Sequence, residues 1–249
     1  MRMPVRLARL LCGMVIILLP SGATGAPGAS TVTAAALPLA SLMEPDGSGL
    51  YQRLMARALE PLDVEVREVF YPYRRALQAF EMGQVDCVFS LTDILLERFS
   101  EDEVVYSFPL GKFSFHIFTS AEEEPIRSIA GLEGKSVGII MGHEAYLDSV
   151  LGEGFQTGTA RNDAQAVRMM GAGRFDAIIA AIPDITPFLD QLNYSPDHPV
   201  LESYDRLNCH NTDSNREFIG AVSAELLRLK GAGVYEEEAG ELYVPFDAE

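Results

Sequence analysis

Basic residues are scarce in this chain. Nineteen lysines and arginines stand against 36 aspartates and glutamates, for a formal charge of −17 over 249 residues. So acidic a surface excludes nucleic-acid binding and docking on anionic membranes, both of which reward cations. No internal apolar run reaches the roughly 20 residues that a membrane span needs. The signatures of zinc peptidases and of dithiol redox chemistry, His-Glu-x-x-His and Cys-x-x-Cys, are missing. His116, His143, His198 and the Cys209-His210 pair lack metal-site spacing. No cofactor and no metal are expected. The acidic runs 122–124 and 236–238 read as solvated faces.

The first 26 residues differ from the rest. Arg2, Arg6 and Arg9 precede the short apolar run LLCGMVIILLP, and small residues follow it. That order describes a secretory signal peptide cleaved near Gly25 or Ala26, and it implies export to the periplasm. A retained anchor is the other reading, for which the apolar run is short. Cys12 opens the apolar run instead of following it, which argues against lipidation. Cleavage removes three arginines and no acid, taking the formal charge to −20. Two of the three cysteines remain, Cys87 and Cys209. An oxidising compartment permits them to pair. The apolar setting of Cys87 equally suits a buried free thiol.

Beyond the leader, apolar runs and punctuation predict alternating strands and helices. TVTAAA at 31–36 reads as a strand. Ser48 is placed to cap a helix through LYQRLMARALE that Pro61 ends, and VEVREVF alternates as a second strand. Ala76, Leu77 and Phe80 form a helical stripe stopped by Gly83, and VDCVFSL follows as a buried strand. KFSFHIFTS reads as a long strand. A second set begins with a short helix in IRSIAGL, the strand SVGIIM and a helix after Gly142. Phe218, Val222, Leu226 and Leu229 keep helical phase near the end. This is the grammar of α/β layers with mainly parallel sheets.

One phrase occurs twice. RALQAFEMGQVDCVFS at 75–90 and QAVRMMGAGRFDAIIA at 165–180 share a helix, a glycine, an aspartate and an apolar run. Each set holds one copy. Two lobes joined by two crossings are expected: 27–114 and 204–249 in the first, 115–203 in the second. Ligands of parallel sheets meet the loops at the carboxyl ends of strands. That rule selects Tyr71 and Tyr73, Ser90 and Thr92, Gly142 to Glu144, and 181–184.

The motifs in order resemble those of the type II periplasmic solute-binding proteins, specifically family 3, which includes binders of polar amino acids. They are the Asp46-Gly47 turn before Gly49 and Leu50, AFEMGQVDCVFSLT, Glu97-Arg98, SFPL, SIAGLEGKSVGIIMG, GAGRFDAIIA and NREFIGAVSAELLRLKGAGVYEE. YPYRRA resembles a less characterised branch. The resemblance spans nearly all of the chain after the leader. It implies two lobes with a ligand cleft between them, a monomer, and a small-molecule solute passed to an inner-membrane ABC-type permease.

In the family, Ser90, Thr92 and Arg98 correspond by type to residues that hold a ligand carboxylate. Arg98 comes one residue late, so it belongs either to the cleft or to an outer helix face. Backbone N–H groups after Gly142 serve the same carboxylate, and His143 stands where a hydroxyl residue is common. Ala181 replaces the acid that pairs with a ligand ammonium, and Asp184 follows three residues later. The resemblance thus implies a small anion or polar organic acid in a site with Tyr71, Tyr73 and Arg75. An enzyme on the same fold, dehydratase-like and acting on a small organic acid, is the main alternative. A sensory or degenerate binding homologue is the other.

Overall fold

Alternating apolar and polar runs of the first half fold in the expected order. The structure is a computed structural model and describes residues 30–151 and 155–247. The expected leader lies outside the described residues. The first set is β1 (Ser30–Ala36), α1 (Leu50–Leu59), β2 (Val64–Phe70), α2 (Tyr73–Glu81), β3 (Cys87–Leu91) and α3 (Thr92–Leu96). Then come β4 (Val104–Tyr106) and the long β5 (Gly111–Ser120). The second set is β6 (Ser136–Ile140), α4 (Glu144–Leu151), β7 (Gln156–Ala160), α5 (Asp163–Gly171) and β8 (Ala177–Ile182). The short β9 (Leu192–Asn193), the long β10 (Leu201–His210), α6 (Asp213–Gly231) and α7 (Val234–Ala239) complete the chain.

Burial explains the composition of each strand. β3 is buried at every residue, as an inner strand covered on both faces must be, and its sequence is mostly apolar. β2 lies at the sheet edge, and its alternating VEVREVF is half-buried. The stripe Ala76, Leu77 and Phe80 of α2 is buried against the sheet. Phe218, Val222, Leu226 and Leu229 of α6 are buried too. That helix packs on α1, and Arg53 of α1 reaches Glu238 of α7 at 2.8 Å. The C-terminal helices therefore return to the first set. Gly49, rather than Ser48, caps α1: its N–H donates to Gln52 Oε1 at 3.0 Å. Ser48 turns to Asp46 instead. A Cβ at position 49 would collide with the Leu42 carbonyl, so only glycine fits there.

The repeated phrase does the same work twice. Asp86 accepts hydrogen bonds from the Thr33 N–H at 2.8 Å and the Thr33 hydroxyl at 2.6 Å. Asp176 accepts from the Ser136 N–H and hydroxyl, both at 2.7 Å. Each aspartate thus ties the strand it precedes to the neighbouring parallel strand, Asp86 to the middle of β1 and Asp176 to the first residue of β6. Gly83 and Gly173 supply the left-handed turns before them, with φ of 64° and 68°. Phe175, just ahead of Asp176, covers Gly138 on β6 and Gly158 on β7, where a side chain would strike its ring.

The sequence suggests a separate sheet for each parallel set. Instead the two sets share one hydrogen-bonded sheet in the order β2-β1-β3-β10-β5-β8-β6-β7. Antiparallel β10 and β5 join them. β10 pairs with β3 over 205–209 and with β5 over 201–205, so one half of it serves each set. Cys87 and Cys209 sit directly opposite in the β3–β10 pair and are joined by a disulfide. The free-thiol reading of Cys87 therefore gives way, because the strand beside β3 comes from 122 residues away and brings its own cysteine. Buried apolar residues form a large core and a second cluster, including Phe118, Val167, Phe175 and Ile178, beneath the second set. Among the described residues, no helix is long and apolar enough to cross a membrane.

Candidate functional site

Strand register decides where a cleft forms. Leu91, the last residue of β3, lies beside Asp205 on β10, and Asp205 lies beside Gly111 on β5. Ile182, the last residue of β8, lies beside Ser114 on β5. The carboxyl ends of both parallel sets therefore converge on neighbouring residues of β5, and the loops leaving them meet. A cavity of 490 Å3 lies along this line. From the first set it takes residues 37–40 beyond β1 and Pro72, Tyr73 and Arg74 beyond β2. From the second it takes 140–144 and Tyr146, then 161–163 beyond β7, and Asp184 beyond β8. Its volume falls in the range of small-molecule sites.

Among the described residues, six buried side-chain polar atoms lack a hydrogen-bond partner. Four of them belong to this wall: Tyr73 Oη, His143 Nδ1, Asp163 Oδ1 and Asp184 Oδ1. Native interiors rarely leave such groups unpaired, so their concentration in one cavity makes it the candidate site. The rings of Tyr73 and Tyr146 meet edge-on with centroids 4.7 Å apart. Burial pushes the Tyr73 hydroxyl up to about 12.

His143 Nε2 stands 3.9 Å from Asp184 Oδ2. Burial holds the His143 imidazole down at about 4, so it is neutral and the pair is not an ion pair. The distance is also too long for a hydrogen bond. Burial raises the Asp184 carboxyl well above its ordinary range, and the charges of Asp163 and Asp205 add to this. Asp163 is raised by burial as well. Asp205 is pushed up to about 7 by burial, against a hydrogen bond from the Tyr51 hydroxyl. Asp163 and Asp184 thus put two largely desolvated acids in the cavity wall.

Of the nine residues selected from the sequence, Tyr73, Gly142, His143 and Asp184 line the cavity together. The other five lie elsewhere. Arg75 is exposed and stacks over the Tyr71 ring, 5.6 Å from its centroid. Ser90 and Thr92 are buried outside the cavity wall, where the Thr92 hydroxyl donates to Asn208 Oδ1 at 2.8 Å. Arg98 lies in the turn beyond α3, pairs with Glu81 at 2.9 Å and is half exposed. Gly142 has φ of 101°, and its N–H donates to Glu144 Oε2 at 2.5 Å. The anion site expected there is filled by the chain's own carboxylate.

Residues 37–40, Arg74, Tyr146 and 161–163 were not selected from the sequence. The loop beyond β7 escaped because QTGTA is polar and glycine-containing, an edge strand with little burial. The signal that points to it is Asn162 followed by Gln165, a helix-start pattern. Asn162 Oδ1 indeed accepts the Gln165 N–H at 2.9 Å and sets Asp163 at the first turn of α5.

No family model matches the chain, and no curated protein matches it. Solved structures do. The ancestral amino acid-binding protein AncCDT-1, a precursor of cyclohexadienyl dehydratase, superposes with a TM-score of 0.66 at 17% identity, covering 86% of this chain and 96% of that one. The fold is that of the two-lobed type II periplasmic binding proteins. The GluR0 ligand-binding core from Nostoc punctiforme, in complex with L-glutamate, gives 0.65 at 17% identity, covering 86% of this chain and all of that one. AbpA, an amino acid ABC transporter substrate-binding protein from Streptococcus pneumoniae bound to L-arginine, gives 0.63 at 14% identity, over 86% and 97%. At these identities the likeness carries the fold.

Proposed function

We propose that the protein is an exported solute-binding protein that captures a small polar solute in the cleft, holding its positive end on Asp163 and Asp184. The observation that carries this reading is the set of four unpartnered buried atoms in one cavity wall, two of them carboxylate oxygens. An organic ammonium supplies both hydrogen bonds and the missing countercharge. The expectation of an anionic ligand rested on Ala181. Asp184, beyond the strand end, offers the acid that position 181 lacks, so a cation is the better fit.

The lobes we propose are 27–114 with 204–249, and 115–203. Their crossings are β5 near Gly111–Ser114 and β10 near Ser203–Asp205, where pairing passes from one set to the other. Closure of the lobes on the solute would be read by a membrane partner. A transporter permease is the partner suggested by the substrate-binding proteins of similar fold. A monomer in the periplasm completes the reading.

An enzyme on this fold is the second reading, and the His143–Asp184 pair is what favours it, since the two are the buried acid–base candidates of the cavity. Residues 134–138, GKSVG, carry the spacing of a nucleophile elbow, but Ser136 opens β6 far from the cleft end, and its hydroxyl is engaged by Asp176. Thermal-shift screening of the leader-free protein against amines, amino acids and organic acids tests the main reading. A rise in melting temperature with amine-bearing compounds is expected. A response to dicarboxylates alone contradicts the cation hold, and turnover of a bound compound moves the reading to catalysis.

A further inference from the structure

Among the groups that the resemblance implies as holders of an α-carboxylate, three are engaged by the chain itself. Arg98 is paired with Glu81 at 2.9 Å. The Thr92 hydroxyl donates to Asn208 at 2.8 Å. The Gly142 N–H donates to Glu144 at 2.5 Å. The unpartnered buried acidic atoms of the wall are carboxylate oxygens of Asp163 and Asp184. Around them the wall is apolar, with Leu37, Leu39, Pro72, Ile140 and Met141 facing the same space. Arg74 and Arg161 also line the cavity, and both are exposed residues.

An α-amino acid carries its carboxylate on the carbon next to the nitrogen. An ammonium seated at Asp163 and Asp184 brings that carboxylate into the same desolvated space. There it meets two carboxylates and an apolar wall. An uncompensated charge in such a place is costly, and like charges add to the cost. Arg74 and Arg161 are exposed to water, and a solvated guanidinium offsets little of that cost. Resting on the amine-binding reading above, we infer that the cleft selects organic amines with an apolar body and no carboxylate next to the nitrogen.

Matched pairs test this. The wild-type protein is titrated calorimetrically with phenethylamine and phenylalanine, cadaverine and lysine, and agmatine and arginine. Phenylalanine methyl ester, which keeps the size but removes the acid charge, and 3-phenylpropionate, which lacks the amine, complete the panel. The expected result is that the amine of at least one pair binds at least about tenfold more tightly than its amino acid, as exclusion of one buried charge requires. The ester should recover most of the affinity, and 3-phenylpropionate should not bind. Amino acids that bind as tightly as their amines overturn the inference while leaving the amine-binding reading intact. Silence across the whole panel, or binding of 3-phenylpropionate alone, overturns both.

Discussion

His143 Nε2 and Asp184 Oδ2 face one another at 3.9 Å in the cavity wall, His143 buried, Asp184 nearly so, and each with its other polar atom unpartnered. The acid and the imidazole do not stabilise each other. Asp184→Asn removes the charge while keeping the shape. The ligand-free variant should be more stable than wild type at neutral pH, by about 1–3 kcal/mol, since the cost of a buried uncompensated carboxylate is relieved. Chemical denaturation of both proteins measures this, and a destabilised variant would show that Asp184 is already satisfied.

Asp205 sits at the crossing of β10 and β5, and its folded carboxyl is pushed up to about 7. A raised carboxyl pKa means that the folded state keeps a proton the unfolded state releases. Stability from this group is full below the unfolded value near 4 and is lost as pH rises to 7. Asp205→Asn should remove a loss of up to about 4 kcal/mol across that interval, the free energy of a roughly thousandfold difference in proton affinity. His143, held at about 4, acts in the opposite sense, costing stability as pH falls from about 6.5 towards 4. Denaturation at pH 4.5 and pH 7.5 for wild type and variant isolates the Asp205 share. Parallel pH profiles for the two would remove it.

The Cys87–Cys209 disulfide links residues 122 apart and staples β3 to β10 at the end of their pairing away from the crossing. Replacing both cysteines by alanine should cost about 2–5 kcal/mol. Thiol titration under denaturing conditions should find no free cysteine in the exported, leader-free protein. Two free thiols there would contradict the bond.

Asp86 and Asp176 play equivalent parts at the far ends of the two sets, away from the cavity. Asp86→Ala and Asp176→Ala each lose a carboxylate accepting two hydrogen bonds, one from an N–H and one from a hydroxyl. Each should lower stability by about 1–2 kcal/mol and leave ligand affinity within about twofold. A large affinity loss in either variant would mean that the phrase shapes the cleft directly.

These two aspartates also explain why so much of the fold was legible in the sequence. Their bonds belong to local strand–helix–strand units, and a local unit writes itself into residues close together. What depends on distant neighbours was not legible. LESYDRLNCH did not read as a strand because β10 serves both sets and mixes polar with apolar residues. Cys209 reached Cys87 only through that strand. Arg98 kept its residue type, but its partner Glu81, from the end of α2, could not be read from the residues around it. Asp184 was visible as an acid, but the course of the chain beyond β8 decides that it faces the cavity. Asp163 was hidden behind the weakly apolar β7.

If Asp163 and Asp184 hold the positive end of a solute in the cleft, isothermal titration with the tightest-binding amine of the panel separates wild type from Asp184→Asn. One saturable site is expected in wild type and an affinity at least about tenfold lower in the variant, the loss of a charged hydrogen-bond partner in a desolvated site. Equal affinity in the two proteins would rule out this hold.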